Sequence, residues 1–100
     1  MTSDCINVKY ANLKLDILEF AHALKVVYAL QMEGATSKSV LYSMISTNGR
    51  TIKDRIDTLS EAGLIEEIPI NKPPYRALQL TKKGKEMAEH VVAIEQILSR

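Results

Sequence analysis

Residues 50–84 read RTIKDRIDTLSEAGLIEEIPINKPPYRALQLTKKG. Ile52, Ile56 and Leu59 recur at four and three residues, the spacing of one helix face, which predicts a helix from Arg50 to Ala62 with Asn48 as its cap. Gly63 supplies the left-handed residue that ends such a helix. Leu64 to Ile68 has strand character, Pro69 to Pro74 cannot be helical, and Arg76 to Leu80 alternates again, so the stretch folds into a hairpin with a stiff tip. Thr81 caps a last helix in which Met87, Val91, Ile94 and Leu98 recur at four, three and four residues, with Ala88 and Val92 as a second stripe.

Upstream, Leu15-Asp16-Ile17-Leu18-Glu19-Phe20 looks like a helix start. Asp16 is the cap, Glu19 reaches back to it, and Leu15 and Phe20 stand at the staple positions. Helical periodicity then runs to Glu33, with Gly34 as the stop. Twelve of the seventeen residues from Ile17 to Glu33 are apolar, more than a helix covering one core needs, so this helix is expected to bury two sides. Thr36 or Ser37 caps a short second helix to about Ile45, with Val40, Leu41, Met44 and Ile45 inward. Ile6, Val8 and Tyr10 alternate with polar residues, as in a short strand or an extended arm. The expected fold is mainly α with a small β hairpin (α+β). It is one domain over residues 1–100: an arm or strand at 1–15, a core at 16–81 and a final helix at 82–98.

One hundred residues, 46% hydrophobic and 25% charged, is the size and make-up of a single folded domain. Glu19, His22, Lys25 and Gln31 interrupt the longest apolar stretch, which argues against a membrane span, and no apolar run follows a basic start. A cytosolic location is expected. Cys5 is the only cysteine and reads as a free thiol, which excludes an intrachain disulfide and a thiolate metal cluster. His22 and His90 lack partners at metal-ligand spacing, and neither a glycine-rich phosphate loop nor a nucleophile elbow is present. The sequence therefore implies no metal, no cofactor and no enzyme. Charge is segregated: residues 1–37 carry three basic and four acidic side chains, residues 38–85 nine and five, and residues 86–100 one and three. The positive excess lies in the middle, as a face meeting a polyanion requires.

Helix, helix, turn, helix, hairpin, helix is the order of a winged helix-turn-helix domain. Thr51-Ile52, Ile56, Leu59 and Glu61-Ala62-Gly63-Leu64-Ile65 resemble a recognition helix running into the first wing strand. Leu80-Thr81-Lys82-Lys83-Gly84 resembles the Leu-Thr-x-x-Gly step into the final helix of many small prokaryotic regulators. The resemblance covers about residues 16–98. The long last helix is similar to the dimerising helix of regulators of the multiple-antibiotic-resistance and phenolic-acid-repressor type, and of compact archaeal winged-helix proteins. It implies a homodimeric transcriptional regulator that binds double-stranded DNA, with the third helix in the major groove and the wing on the backbone or minor groove.

On a wheel with Ile52, Ile56 and Leu59 inward, Arg50, Asp54, Asp57 and Glu61 point away, with Lys53 beside them. Arg50 suits a guanine edge, Lys53 a base or a phosphate, and Asp54 either accepts from cytosine or is merely solvated. The helix nets zero charge, so affinity is expected from elsewhere: from Lys72, Tyr75 and Arg76 at the wing and from Lys38 at the start of the second helix. The candidate DNA contacts are thus Lys38, Asn48, Arg50, Thr51, Lys53, Asp54, Lys72, Tyr75 and Arg76. Tyr75 equally suits packing on the strands, and Lys82, Lys83 and Lys85 read either as phosphate contacts or as plain surface lysines. The candidate dimer interface is Leu24, Tyr28, Met87, Val91, Ile94 and Leu98. Two rivals stand beside the regulator: a winged-helix adaptor binding protein, which the neutral third helix favours, and an architectural DNA binder with little sequence preference.

Overall fold

The computed structural model describes residues 10–45, 49–69 and 76–100. Its elements are a 3-10 turn at Lys14–Leu18, α1 (Ala23–Glu33), α2 (Lys38–Ile45), α3 (Gly49–Glu61), β1 (Ile65–Pro69), β2 (Arg76–Leu80) and α4 (Lys82–Leu98). Val26, Val27 and Leu30 of α1, Leu41 of α2, Ile52, Ile56 and Leu59 of α3, Leu78 and Leu80 of β2, and Ala88 and Val91 of α4 meet in one buried cluster.

The first helix does not start at Ile17. The chain makes a 3-10 turn in which Leu13 N donates to Asp16 Oδ2 at 3.2 Å, and α1 begins at Ala23 after His22 takes a left-handed φ of 68°. The expected staple is open, with Leu15 and Phe20 exposed. The cause is a contact from far along the chain. Arg55 of α3 donates from Nε to the Ala21 carbonyl at 3.0 Å, and its guanidinium lies 4.8 Å from the centre of the Phe20 ring. A cation over an aromatic face and a charged donor on a carbonyl outweigh a few tenths of a kcal/mol per residue of helix propensity.

In α2 only part of the expected inward face is inside. Leu41 is buried and Ile45 half-buried, but Val40 and Met44 are exposed, because two turns can present only one narrow side to α1 and α3. Ser37 sits at its start, and its Oγ accepts from Val40 N at 3.4 Å. Thr36 has a different role: its N–H and carbonyl both pair with Leu78, at 3.0 and 2.8 Å, adding a one-residue third strand beside β2.

The third helix and hairpin match their reading closely. Gly63 at φ 78° ends α3, Leu64 N donates to Leu59 O and Gly63 N to Ser60 O, each at 3.0 Å, which satisfies the last carbonyls in a Schellman arrangement. β1 starts one residue later than expected. It pairs antiparallel with β2, Ile65 opposite Leu80 and Glu67 opposite Leu78. Thr81 then ties three elements together. Its Oγ1 accepts from Gly84 N at 3.0 Å, capping α4, and donates to Gly63 O at 2.6 Å. Gly84 is buried at this joint, and a Cβ there would collide with the Leu64 carbonyl oxygen, so the glycine of the Leu-Thr-x-x-Gly step is required by close approach.

A candidate nucleic-acid interface

The face of α3 turned from the core is charged along its length. Ile52 and Leu59 are completely buried and Ile56 almost so, which leaves Arg50, Lys53, Asp54, Asp57 and Glu61 exposed and Thr51 half-buried. Arg55 does not belong to this face, since its guanidinium is held by Ala21 and Phe20. The outward side of α3 therefore carries two cations against three carboxylates, and the cations are confined to its first turn and a half. Only the amino-terminal end of the helix can approach a polyanion without repulsion.

Beside it, three segments bring one anion and two cations together. Lys38 Nζ lies 2.9 Å from Glu67 Oε2, and Arg76 Nε lies 4.0 Å from Glu67 Oε1. The hydrogen bond from Lys38, with the nearby charge of Arg76 adding to it, holds the Glu67 carboxyl below its ordinary value, and the same bond raises Lys38. Gln79 of β2 donates to Glu66 at 2.7 Å, so the second acid of β1 is also engaged. Lys83 reaches back to the Ala62 carbonyl at 3.5 Å, while Lys82 and Lys85 are exposed. Asn48, Lys72 and Tyr75 lie outside the described residues.

The opposite end is apolar. Leu24, Tyr28 and Ala29 of α1, Met44 and Ile45 of α2, and Val91, Ile94 and Leu98 of α4 line an open groove of about 410 Å³, with the charged Lys25 and Glu95 also on its walls. Of the residues assigned to a dimer interface, Val91 is buried in its own chain's core and Tyr28 and Met87 are half-buried. Leu24, Ile94 and Leu98 are exposed, by 44%, 54% and 76%. α1 packs on α4, where Ala88 and Val91 are buried and Val92 is half-buried, whereas the last two turns stay uncovered, Ile97 also being 55% exposed. Sequence reasoning passed over Ile97, three residues from Ile94, and Glu67, whose partner depends on hairpin register.

No family model and no curated protein matches the sequence. Among solved structures the chain is similar to a possible HxlR family transcriptional factor from Thermoplasma volcanium, with a TM-score of 0.77 and 20% identity over 98% of this chain and 87% of that one. The chain is a winged helix-turn-helix domain. A MarR family regulator from Neisseria meningitidis shares the fold at a TM-score of 0.69 and 28% identity, over 79% of this chain and 56% of the other. A mutant MarR from E. coli, complexed with operator DNA, matches at 0.64 and 19% identity over 75% of this chain and 59% of that chain. The winged-helix chain thus spans little more than half the length of these two regulators. In its own terms α2 and α3 form the helix-turn-helix, β1 and β2 the wing, and α4 the terminal helix. Among the described residues there is no group of three or more His, Cys, Asp or Glu that could hold a metal, and no helix is long and apolar enough to cross a membrane.

Proposed function

We propose that the protein is a transcriptional regulator without catalytic activity. It binds double-stranded DNA as a homodimer, with the amino-terminal end of α3 in the major groove and the wing on the flanking backbone. The observation that carries this reading is the placement of Arg50 and Lys53, exposed on the first turns of α3, in a fold whose neighbours are named as regulators, one of them complexed with operator DNA. A groove of about 12 Å admits a helix, and an arginine near its start can take a guanine edge with two bonds. Pairing through Leu24, Ile94, Ile97 and Leu98 would cover the apolar end and set two such helices side by side.

The near-neutral α3, with Lys38 and Arg76 facing Glu67, favours a second reading, an adaptor that binds protein through the same surface. Salt separates the two. A DNA binder loses affinity linearly in log salt, by about 0.9 per phosphate contact, and the ratio of preferred-site to random-duplex affinity then tells a specific regulator from an architectural binder. The test is fluorescence anisotropy with a duplex selected from a random pool. Salt-dependent binding weakened by Arg50→Ala supports the regulator, whereas absence of binding at low salt leaves the adaptor.

A further inference from the structure

The position of Glu67 is set by the sheet. β2 lies between β1 and Thr36, Glu67 stands opposite Leu78, and Leu78 in turn pairs with Thr36. Lys38, the first residue of α2, follows Thr36 by two residues, and Arg76 precedes Leu78 by two on β2, diagonal to Glu67, so both long side chains start within reach of the carboxylate. Three segments distant in sequence converge on one anion.

The backbone pairing of these segments does not require this convergence. Thr36 and Leu78 are already joined by two backbone hydrogen bonds, and β1 and β2 by their own ladder. The side chains of Lys38, Glu67 and Arg76 are 47%, 37% and 60% exposed, so solvent screens the pair and it is worth little to stability. Lys38 is the first residue of α2, and α2 packs on α3, so the cluster stands on the helix-turn-helix side of the hairpin. A carboxylate with Lys38 on one oxygen and Arg76 at 4.0 Å from the other takes the place a phosphate group would take between the two cations.

We propose that Glu67 is an internal stand-in for a DNA phosphate, occupying the anion position between Lys38 and Arg76 in the free protein and competing with the duplex backbone for both. The inference rests on the DNA-binding reading and adds a residue to it that sets backbone affinity without reading sequence. When a phosphate enters, the two cations change partner and the carboxylate is left beside a second anion. Binding is weaker, and its salt dependence shallower, than the number of cations alone would give.

Glu67→Gln keeps the shape and removes the charge. Binding to a selected site and to random duplex is measured for wild type and variant between about 50 and 200 mM salt. The expected result is tighter binding to both duplexes alike, with the salt slope steeper by about 0.9, so that the advantage of the variant is roughly 3.5-fold larger at the low-salt end than at the high. In a Lys38→Ala, Arg76→Ala background the same substitution gains less. Thermal unfolding of Glu67→Gln, expected near wild type, separates this effect from a structural one. A variant that binds more weakly, or with an unchanged slope while wild type binds in a salt-dependent way, overturns the inference and leaves the DNA reading intact. Wild type that binds no duplex at low salt overturns both.

Discussion

α3 and α4 insert side chains into the same core yet present opposite chemistry outward. α3 gives Ile52, Ile56 and Leu59 to the interior and shows water Arg50, Lys53, Asp54, Asp57 and Glu61. α4 gives Gly84, Ala88 and Val91, then runs on past the rest of the domain with Ile94, Ile97 and Leu98 uncovered. A charged free face is satisfied by solvent and reserves itself for a charged partner. A free apolar end gains by meeting protein, since its burial is worth roughly 25 cal/mol per Å². On the proposed function the two helices would divide the labour, one turned to a polyanion and the other to a second chain.

The contrast collapses first at the joint the two helices share. Gly84→Val drives a side chain into the Leu64 carbonyl and should cost more than about 3 kcal/mol, lowering the melting temperature by roughly 12 °C or more in calorimetry. An unaltered melting temperature would show that the close approach is absent. Next, Ile94→Asp places a charge in the apolar end. It should weaken self-association by about 3 kcal/mol and give a monomer at tens of micromolar by sedimentation, with far-ultraviolet circular dichroism unchanged. Wild type that is itself monomeric there would assign the stripe to another partner.

The charged side is sharpened by Arg50→Ala, expected to cost about 1 to 3 kcal/mol on a preferred site, less on random duplex, and under about 0.5 kcal/mol in unfolding. Equal losses on both duplexes would make Arg50 a backbone contact. The smallest effect concerns acid. Glu67 is held below its ordinary value of 4.5 when folded, so the stability it contributes is present above that value and is lost as pH falls through the lowered one. Lys38 is raised above 10.5, so its share is present below 10.5 and lost only above the raised value. For so exposed a pair the loss should stay under about 1 kcal/mol, and urea titrations of wild type and Glu67→Gln should differ above pH 4.5 and converge in stronger acid.

What could be read from the sequence was local. Ile52, Ile56 and Leu59 announce α3 by spacing, Gly34 and Gly63 the ends of α1 and α3 by conformation, and Thr81 the last helix by its hydroxyl; each acts within one turn of itself. The features that escaped depend on residues far apart. The break before α1 is decided by Arg55, thirty-four residues from the carbonyl it binds. The third strand exists because Leu78 offers Thr36 both backbone groups, and Glu67 meets Lys38 only through that same pairing. Val40 and Met44 carried the right pattern, but the length of α2 and the direction of its packing, not its periodicity, decide which side is covered.

Thr81 sets an angle. One hydroxyl receives the amide of Gly84 and grips the carbonyl of Gly63, so the direction in which α4 leaves the domain is fixed relative to the end of α3 within a few atoms. In a symmetric pair built on α4, that angle works like the pivot of a pair of calipers: it decides how far apart the two α3 tips stand. Half-sites on DNA repeat about every 34 Å, one turn of the duplex. On the proposed function the spacing of sites such a pair spans would be a property of the pivot at Thr81, while the side chains on α3 would choose only which bases are read at each tip.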